Sequence, residues 1–468
     1  MSVRCNVEEI VSLEESLSLE KTVNITNHRN YVNPGLTKLL GLLSFDKPFD
    51  KAEGMYVWDR DGKQYLDFLG GYGSLNLGHN PPSVIAAIHA VAGMPNLLQA
   101  ALNPLAGALA KNLAILTPGL LQHTFFCNSG TEAVEGAVKT ARIATGKTKL
   151  VYCKGAFHGK TMGALAVTGR KHYQEAFAPM MPDCDYIPFG DAAALEEKLN
   201  KGDIAAFITE PIQGEGGIIC PDEGFLREAR DICDKYGVLL IVDEIQSGFG
   251  RTGKMFACDH EEIAPDIMCL AKSLGGGIMP IGATITTPAV WDKAYGSLER
   301  ATLHTSTFGG NSWACAAGLA AIEAIIEQKL CENASEMGEY FLSELRKLQE
   351  KYHIIADVRG KGLFIGIEFR QPVSGFIDRL TAGTVNKFAG EYSGALVAGE
   401  LRNKYGIITA YTLNNPNVIR MEPPLIVEKE QIDRVIAALT DIFEQHKSIF
   451  KLAMTGSKTV LGSYFNRK

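Results

Sequence analysis

Between about residue 83 and residue 320, short apolar runs alternate with longer amphipathic stretches. "HTFFCNS" (123–129), "KLVYC" (149–153), "IAAFITE" (204–210), "VLLIVDE" (238–244), "DIMCLA" (266–271) and "IGATIT" (281–286) are apolar on both alternating faces and predict fully buried strands. Helical segments over 131–145, 193–200 and 223–236 lie between them. Buried strands alternating with helices predict a mostly parallel sheet covered on both sides. The flanks read differently. "GMYVWDRDGKQYLDFLGG" (54–71) predicts a hairpin turning at Asp61-Gly62. After residue 320, helices over 314–328 and "MGEYFLSELRKLQEKY" precede strands around "GKGLFIGIEF" and "VIRMEPPL" and a last helix over 429–447. The pattern therefore predicts a large α/β domain over 83–325 and a smaller α+β domain formed by 28–82 with 326–455. Residues 1–27 form a helical extension, with an exposed amphipathic helix over 7–21, and 456–468 read as a loose tail.

Composition narrows the partners. A length of 468 residues exceeds what one simple core fills, in keeping with two domains. The net charge of −7 offers no electrostatic reason to expect nucleic acid or an anionic membrane as a partner. No apolar run approaches the roughly 20 residues of a membrane-spanning helix. Ten cysteines include no C-x-x-C pair and no zinc-like spacing with the ten histidines. Several, such as Cys153 and Cys269, sit in apolar runs, which suggests reduced thiols and a cytoplasmic protein. The acidic N-terminus lacks the apolar stretch of a signal peptide. Small-molecule chemistry is the remaining default.

In an open α/β sheet ligands bind beyond the carboxyl ends of the strands, and several chemically loaded residues fall there. "CNSGTEAVEGA" follows a strand and opens a helix, with Ser129 at the N-cap and Glu132 completing a capping box. Gly130 and Thr131 could then offer N–H groups and a hydroxyl to a phosphate, although a well-capped helix alone also explains the pattern. Asp243 ends an apolar strand and needs a cationic partner: an arginine, a helix cap or a cofactor's ring nitrogen. Glu210 ends its strand in the same way, before Pro211. "GFGRTGK" (248–254) matches both a dinucleotide loop and a P-loop, but no clear helix follows and Met255 stands where magnesium binding needs Ser or Thr. Lys272, in "LAKSLGGGIMP", lies one strand after Asp243. An amine in apolar surroundings becomes a nucleophile towards aldehydes, and the aldehyde of pyridoxal 5′-phosphate suits the whole set.

"NSGTEA", "GAFHGKTMGALA", "EPIQGEGG", "VDEIQSGFGRTGKMFA", "PDIMCLAKSLGGGIMPIGA" and "TFGGNSWACAAGLA", in that order, resemble the class III (ω-) aminotransferases of fold type I, from about residue 28 to 447. "YVNPG", "FHGK", "FFCNSGTE", "GKMFACDHE" and "RMEPPL" are most similar to the putrescine-using branch. The resemblance implies a seven-stranded large domain that binds pyridoxal phosphate. It implies that Lys272 is the Schiff-base lysine, that Asp243 pairs with the ring nitrogen and that Gln246 sits near the ring hydroxyl. Ser129, Gly130 and Thr131 would hold the phosphate, Phe157 would stack on the ring and His158 would support packing near the cofactor. Thr307 would reach the neighbouring subunit's cofactor, which makes the enzyme at least a homodimer. Tyr72, Glu210 and Glu215 would lie near substrate, with Arg420 gripping an α-carboxylate and Glu215 neutralising it for amines that lack one. Lys160 replaces the arginine of ornithine- and GABA-using relatives, whose planar fork a lysine cannot reproduce. A solvent-facing Lys160 is the plainer alternative. The implied activity moves the terminal amine of putrescine or cadaverine to 2-oxoglutarate by ping-pong chemistry. Alternatives are an ω-amino-acid aminotransferase (ornithine, acetylornithine or GABA), an aminomutase or racemase of the same fold, or a cofactor-binding regulatory protein.

Overall fold

The computed structural model describes residues 10–42, 45–98, 100–370 and 393–446. Its centre is a seven-stranded sheet of β4 (His123–Cys127), β5 (Lys149–Cys153), β6 (Cys184–Ile187), β7 (Ile204–Thr209), β8 (Leu239–Asp243), β9 (Ile267–Leu270) and β10 (Gly282–Thr286). The order is β4-β10-β9-β8-β7-β5-β6, and only β10 runs antiparallel to its neighbours. Every residue of β7, β9 and β10 is buried, as the unbroken apolar runs predict. Helices Gly130–Thr145, Ala192–Leu199 and Phe225–Tyr236 fall within two residues of their predicted spans. β6 had no apolar run to betray it. It is an edge strand with two exposed positions, so burial left little mark on its composition.

The predicted hairpin forms from β2 (Tyr56–Asp59) and β3 (Gln64–Asp67), with Gly62 at φ +77° in the turn. A further exposed strand, β1 (Phe49–Glu53), pairs with β2. Near the C-terminus, β11 (Ile355–Lys361), β12 (Phe364–Phe369), β14 (Ala410–Tyr411) and β15 (Val418–Met421) make a second antiparallel sheet. The two-residue β13 (Ile407–Ile408) instead pairs parallel with β3, joining the chain's two ends.

The predicted helix over 7–21 is corrected. Residues 7–9 lie outside the described residues, and the rest forms two short helices, Leu13–Leu17 and Lys21–Asn27. Ser12 and Glu15 make a capping box that starts the first helix. Arg60 then donates to the carbonyls of Leu17 and Leu19, which ends it by taking acceptors that a longer helix would use. The predicted tail over 456–468 lies outside the described residues.

Candidate active site

The carboxyl ends of β4, β7, β8 and β9 open onto a cavity of about 660 Å³. Ser129, Gly130, Thr131, Phe157, His158, Lys160, Glu210, Asp243, Gln246 and Lys272 line it. Strand pairing sets their proximity: Asp243 is in register with Cys269, three residues before Lys272.

Asp243, 4% exposed, accepts from the Ile245 N–H at 3.0 Å and pairs with His158 Nδ1 at 2.7 Å. The other nitrogen of His158, Nε2, is buried without a partner among the described residues. His158 is thus the side chain that orients Asp243, a more specific place than the packing role read from sequence. Lys272 opens a one-turn 3₁₀ helix and has φ +48°, a region that costs a non-glycine residue about 1–3 kcal/mol and concentrates at functional sites. Among the described residues no hydrogen bond or ion pair reaches its Nζ. Burial lowers its pKa from the ordinary lysine value, while the charges of Glu422 and Glu215 pull the other way. Glu210 accepts from the N–H groups of Phe157 (2.9 Å) and Gly214 (3.1 Å). Burial raises its carboxyl to about pH 7, with the Asp243 charge adding to the rise and His158 opposing it.

At the other end of the cavity, Ser129 caps the Gly130–Thr145 helix by accepting from the Glu132 N–H at 3.4 Å. The predicted capping box is only half made. Glu132 reaches one residue further back, to the Asn128 N–H at 2.5 Å and the Asn128 side-chain amide at 3.2 Å. Two glycines keep this end open. A Cβ on Gly130 would fall 2.9 Å from Ile245 Cδ1, and one on Gly159 would fall 2.2 Å from Thr131 Oγ1. These residues fit pyridoxal phosphate. A helix N-terminus suits its phosphate, the buried Asp243 suits a cationic ring nitrogen, and an amine without a partner faces the same space.

A second cluster adjoins this cavity without lining it. Arg420 on β15 is fully buried, with Nη2 at 2.5 Å from Glu215 Oε2 and Nη1 at 3.2 Å from Glu422 Oε1. Burial opposes both charges of the Arg420–Glu215 pair, yet their mutual attraction prevails and holds the Glu215 carboxyl below its usual range. The Leu413 N–H also donates to Glu215 Oε2, at 2.8 Å. Tyr72, itself at φ +58°, places its ring 5.1 Å from the Arg420 guanidinium. Gln246 joins the two clusters, because its amide donates to Glu422 at 2.9 and 3.2 Å and to the Tyr72 carbonyl at 3.3 Å. Sequence reading missed Glu422. The available signal was its place two residues after Arg420 at the end of one strand, where alternation puts both on the same face.

Lys160 lines the cavity with its ammonium 4.7 Å from the Tyr173 ring and 6.0 Å from the Phe157 ring. Thr307 lies on an exposed loop and does not line the cavity of its own chain, although the Asn128 amide in that cavity donates to the adjacent Ser306 hydroxyl at 3.0 Å. "GFGRTGK" is a structured loop followed by a 3₁₀ turn (Ala257–His260), and its Arg251 is buried on the carbonyls of Leu363 and Pro423 and on Asn76 Oδ1.

Comparison with known proteins agrees with this geometry. The family model described as "Aminotransferase class-III" matches residues 44–443. A putrescine aminotransferase of Pectobacterium atrosepticum is 41% identical over 452 residues, covering 93% of this chain and 92% of that protein. The crystal structure of ornithine aminotransferase from Toxoplasma gondii ME49 superposes with a TM-score of 0.81 at 32% identity, covering 92% of this chain and 98% of that one. An amine transaminase from an uncultivated Pseudomonas species, in its PLP-bound form, gives 0.75 at 30% identity, over 85% and 95% of the two chains. The chain therefore belongs to the class III aminotransferases and is a pyridoxal-phosphate-dependent transaminase of fold type I.

Proposed function

We propose that this enzyme moves the terminal amino group of putrescine, or of a close diamine such as cadaverine, to 2-oxoglutarate, releasing an aminoaldehyde and glutamate in two alternating stages. The observation that carries the reading is the closed Arg420–Glu215 pair at 2.5 Å. With both terminal nitrogens of its guanidinium already engaged by carboxylates, Arg420 suits a donor amine that brings no carboxylate there. Lys160, set against aromatic rings rather than forked towards a carboxylate, supports the same donor class. The putrescine-using relative points the same way.

Pyridoxal phosphate, when bound, supplies an aldehyde for the incoming amine and a ring that takes up electrons from the substrate carbon. Gly130, Thr131 and Ser129 would hold the phosphate, and Phe157 and Gln246 would contact the ring. Asp243, oriented by His158, would favour a positive charge on the ring nitrogen. Lys272 Nζ, its proton affinity lowered by burial, would serve as the base that takes up and gives back the proton of the amine-bearing carbon. Arg420 receives the α-carboxylate of 2-oxoglutarate once Glu215 gives way, while Tyr72 and Glu210 shape the space around it. Thr307 completes the site of a second copy, so the working unit is a homodimer. The cofactor-binding body over 83–325 and a smaller part built from 28–82 with 326–455 belong to the same reading, supported by the β3–β13 pairing. Free thiols at the nine described cysteines support a cytoplasmic location.

The ω-amino-acid alternative draws support from the ornithine aminotransferase likeness. A panel of putrescine, cadaverine, ornithine, GABA and β-alanine with 2-oxoglutarate separates the two. Higher kcat/KM for both diamines is expected, and preference for ornithine or GABA would sink the diamine reading.

A further inference from the structure

We propose that the cavity between the "GFGRTGK" loop, the helix Leu330–Lys351 and the β11–β12 turn is a second binding site, which takes a phosphate-bearing small molecule on Lys254, Arg346 and Lys361. The inference stands apart from the donor assignment above.

The cavity holds about 460 Å³, and close glycine contacts bring its three walls together. A Cβ on Gly362 would fall 2.4 Å from the Thr252 carbonyl carbon, and one on Gly338 would fall 2.3 Å from the Gly362 carbonyl carbon. A Cβ on Gly253 would fall 3.1 Å from Ser335 Cβ. Arg251 also ties loop to turn: its carbonyl accepts from the Leu363 N–H at 3.1 Å, and its guanidinium donates to the Leu363 carbonyl at 3.1 Å. This packing fixes the roots of Lys254, Lys361 and Arg346, one from each wall, around a single space. Lys254 closes the P-loop-like segment, yet the cavity is no P-loop, because Arg251 is turned inward and a 3₁₀ turn follows instead of an α-helix.

Among the described residues no hydrogen bond or ion pair reaches any of these three cations, and Glu339 alone brings a carboxylate to the lining. Asp259, beside His260, is turned onto the Phe256 N–H at 2.9 Å. The lysines of another cavity are paired by contrast: Lys149 with Asp203 at 3.2 Å, Lys198 with Asp185 at 2.5 Å and Lys201 with Glu197 at 3.0 Å. His260 registers the local field. Its Nε2 lies 3.1 Å from both the carbonyl and the hydroxyl oxygen of Thr252. Burial, joined by the charges of Lys361 and Lys254, pushes its imidazole down to about 4. In a chain of net charge −7 this is a local reversal of sign. Gathered cations without counter-charges favour an anion that neutralises several at once. A phosphate group carries more charge than a carboxylate, and the planar fork of an arginine matches its oxygens.

Equilibrium dialysis of the cofactor-loaded enzyme against pyrophosphate, ADP and glutarate tests the site. Pyrophosphate should bind with a Kd below about 1 mM, and Lys254→Ala and Lys361→Ala, both at exposed positions, should each weaken it about tenfold. Lys160→Ala, in the transaminase cavity, should leave that affinity unchanged. Tighter binding of ADP than of pyrophosphate would support the proposal with a nucleotide as the source, and equal affinity would support it with the phosphate groups alone. Pyrophosphate binding that survives both lysine substitutions, or that falls in Lys160→Ala instead, would overturn it. So would no binding of either phosphate compound, or tighter binding of glutarate through the same two lysines.

Discussion

Glu210 shows what a single strand-end residue reveals and conceals. Its place after the apolar "IAAFIT" marks it as a buried acid in need of partners, and the partners prove to be the N–H groups of Phe157 and Gly214. Burial and the neighbouring Asp243 charge raise its carboxyl from 4.5 to about 7. The folded protein thus keeps a proton that the unfolded chain has already lost between those values, so stability falls as pH rises through the window. Glu210→Gln lacks this titration. In the cofactor-free protein, urea midpoints at pH 5 and pH 8 should show wild type losing about 3 kcal/mol more than the variant across the interval. Equal losses would refute the raised carboxyl. Lys272 and Asp243 were legible for the same reason as Glu210, since a charge closing an apolar run has few innocent explanations. Glu422 was not, because its run "VIRM" already contains Arg420 and reads as half-buried. Only the contact with Gln246 shows which cofactor-side group it touches.

At the level of elements, the helix Gly130–Thr145 was readable because its signals are local: a Ser129 cap, acidic Glu132 in the first turn and Gly146 in the left-handed conformation at the end. What lies over its N-terminus was not, because Gly159 arrives from a separate loop after β5. It sits at φ +128° against Thr131. Gly159→Ala should push Thr131 off the phosphate position and raise the pyridoxal phosphate Kd at least about tenfold, read by equilibrium dialysis. Unaltered cofactor affinity would show that the cradle tolerates a Cβ. Edge elements escaped sequence reading throughout. β1 exposes four of its five positions and β6 two of four, and pairing that buries little leaves little compositional trace.

For the whole molecule, Leu298 (96% exposed), Leu303 and Phe308 project from the same segment as Thr307. Apolar side chains at that exposure suit a surface covered by a second copy, as the proposed homodimer requires. Sedimentation should give twice the chain mass. Phe308→Asp should shift the protein towards monomer and weaken cofactor retention, because Thr307 would lose its place in the neighbouring site. A cofactor-loaded wild-type monomer would contradict this. The sequence by itself determined the fold class, the buried central strands with the helices between them, and the acids and lysine at strand ends. Those features follow from periodicity, local caps and the cost of burying charge, all written within short windows. Tertiary structure alone decided that His158 orients Asp243, that Gln246 bridges two clusters and that Arg420 carries two carboxylates rather than one. Such contacts join residues up to about two hundred positions apart, and no local pattern encodes which distant side chain will fill a neighbour's hydrogen bonds.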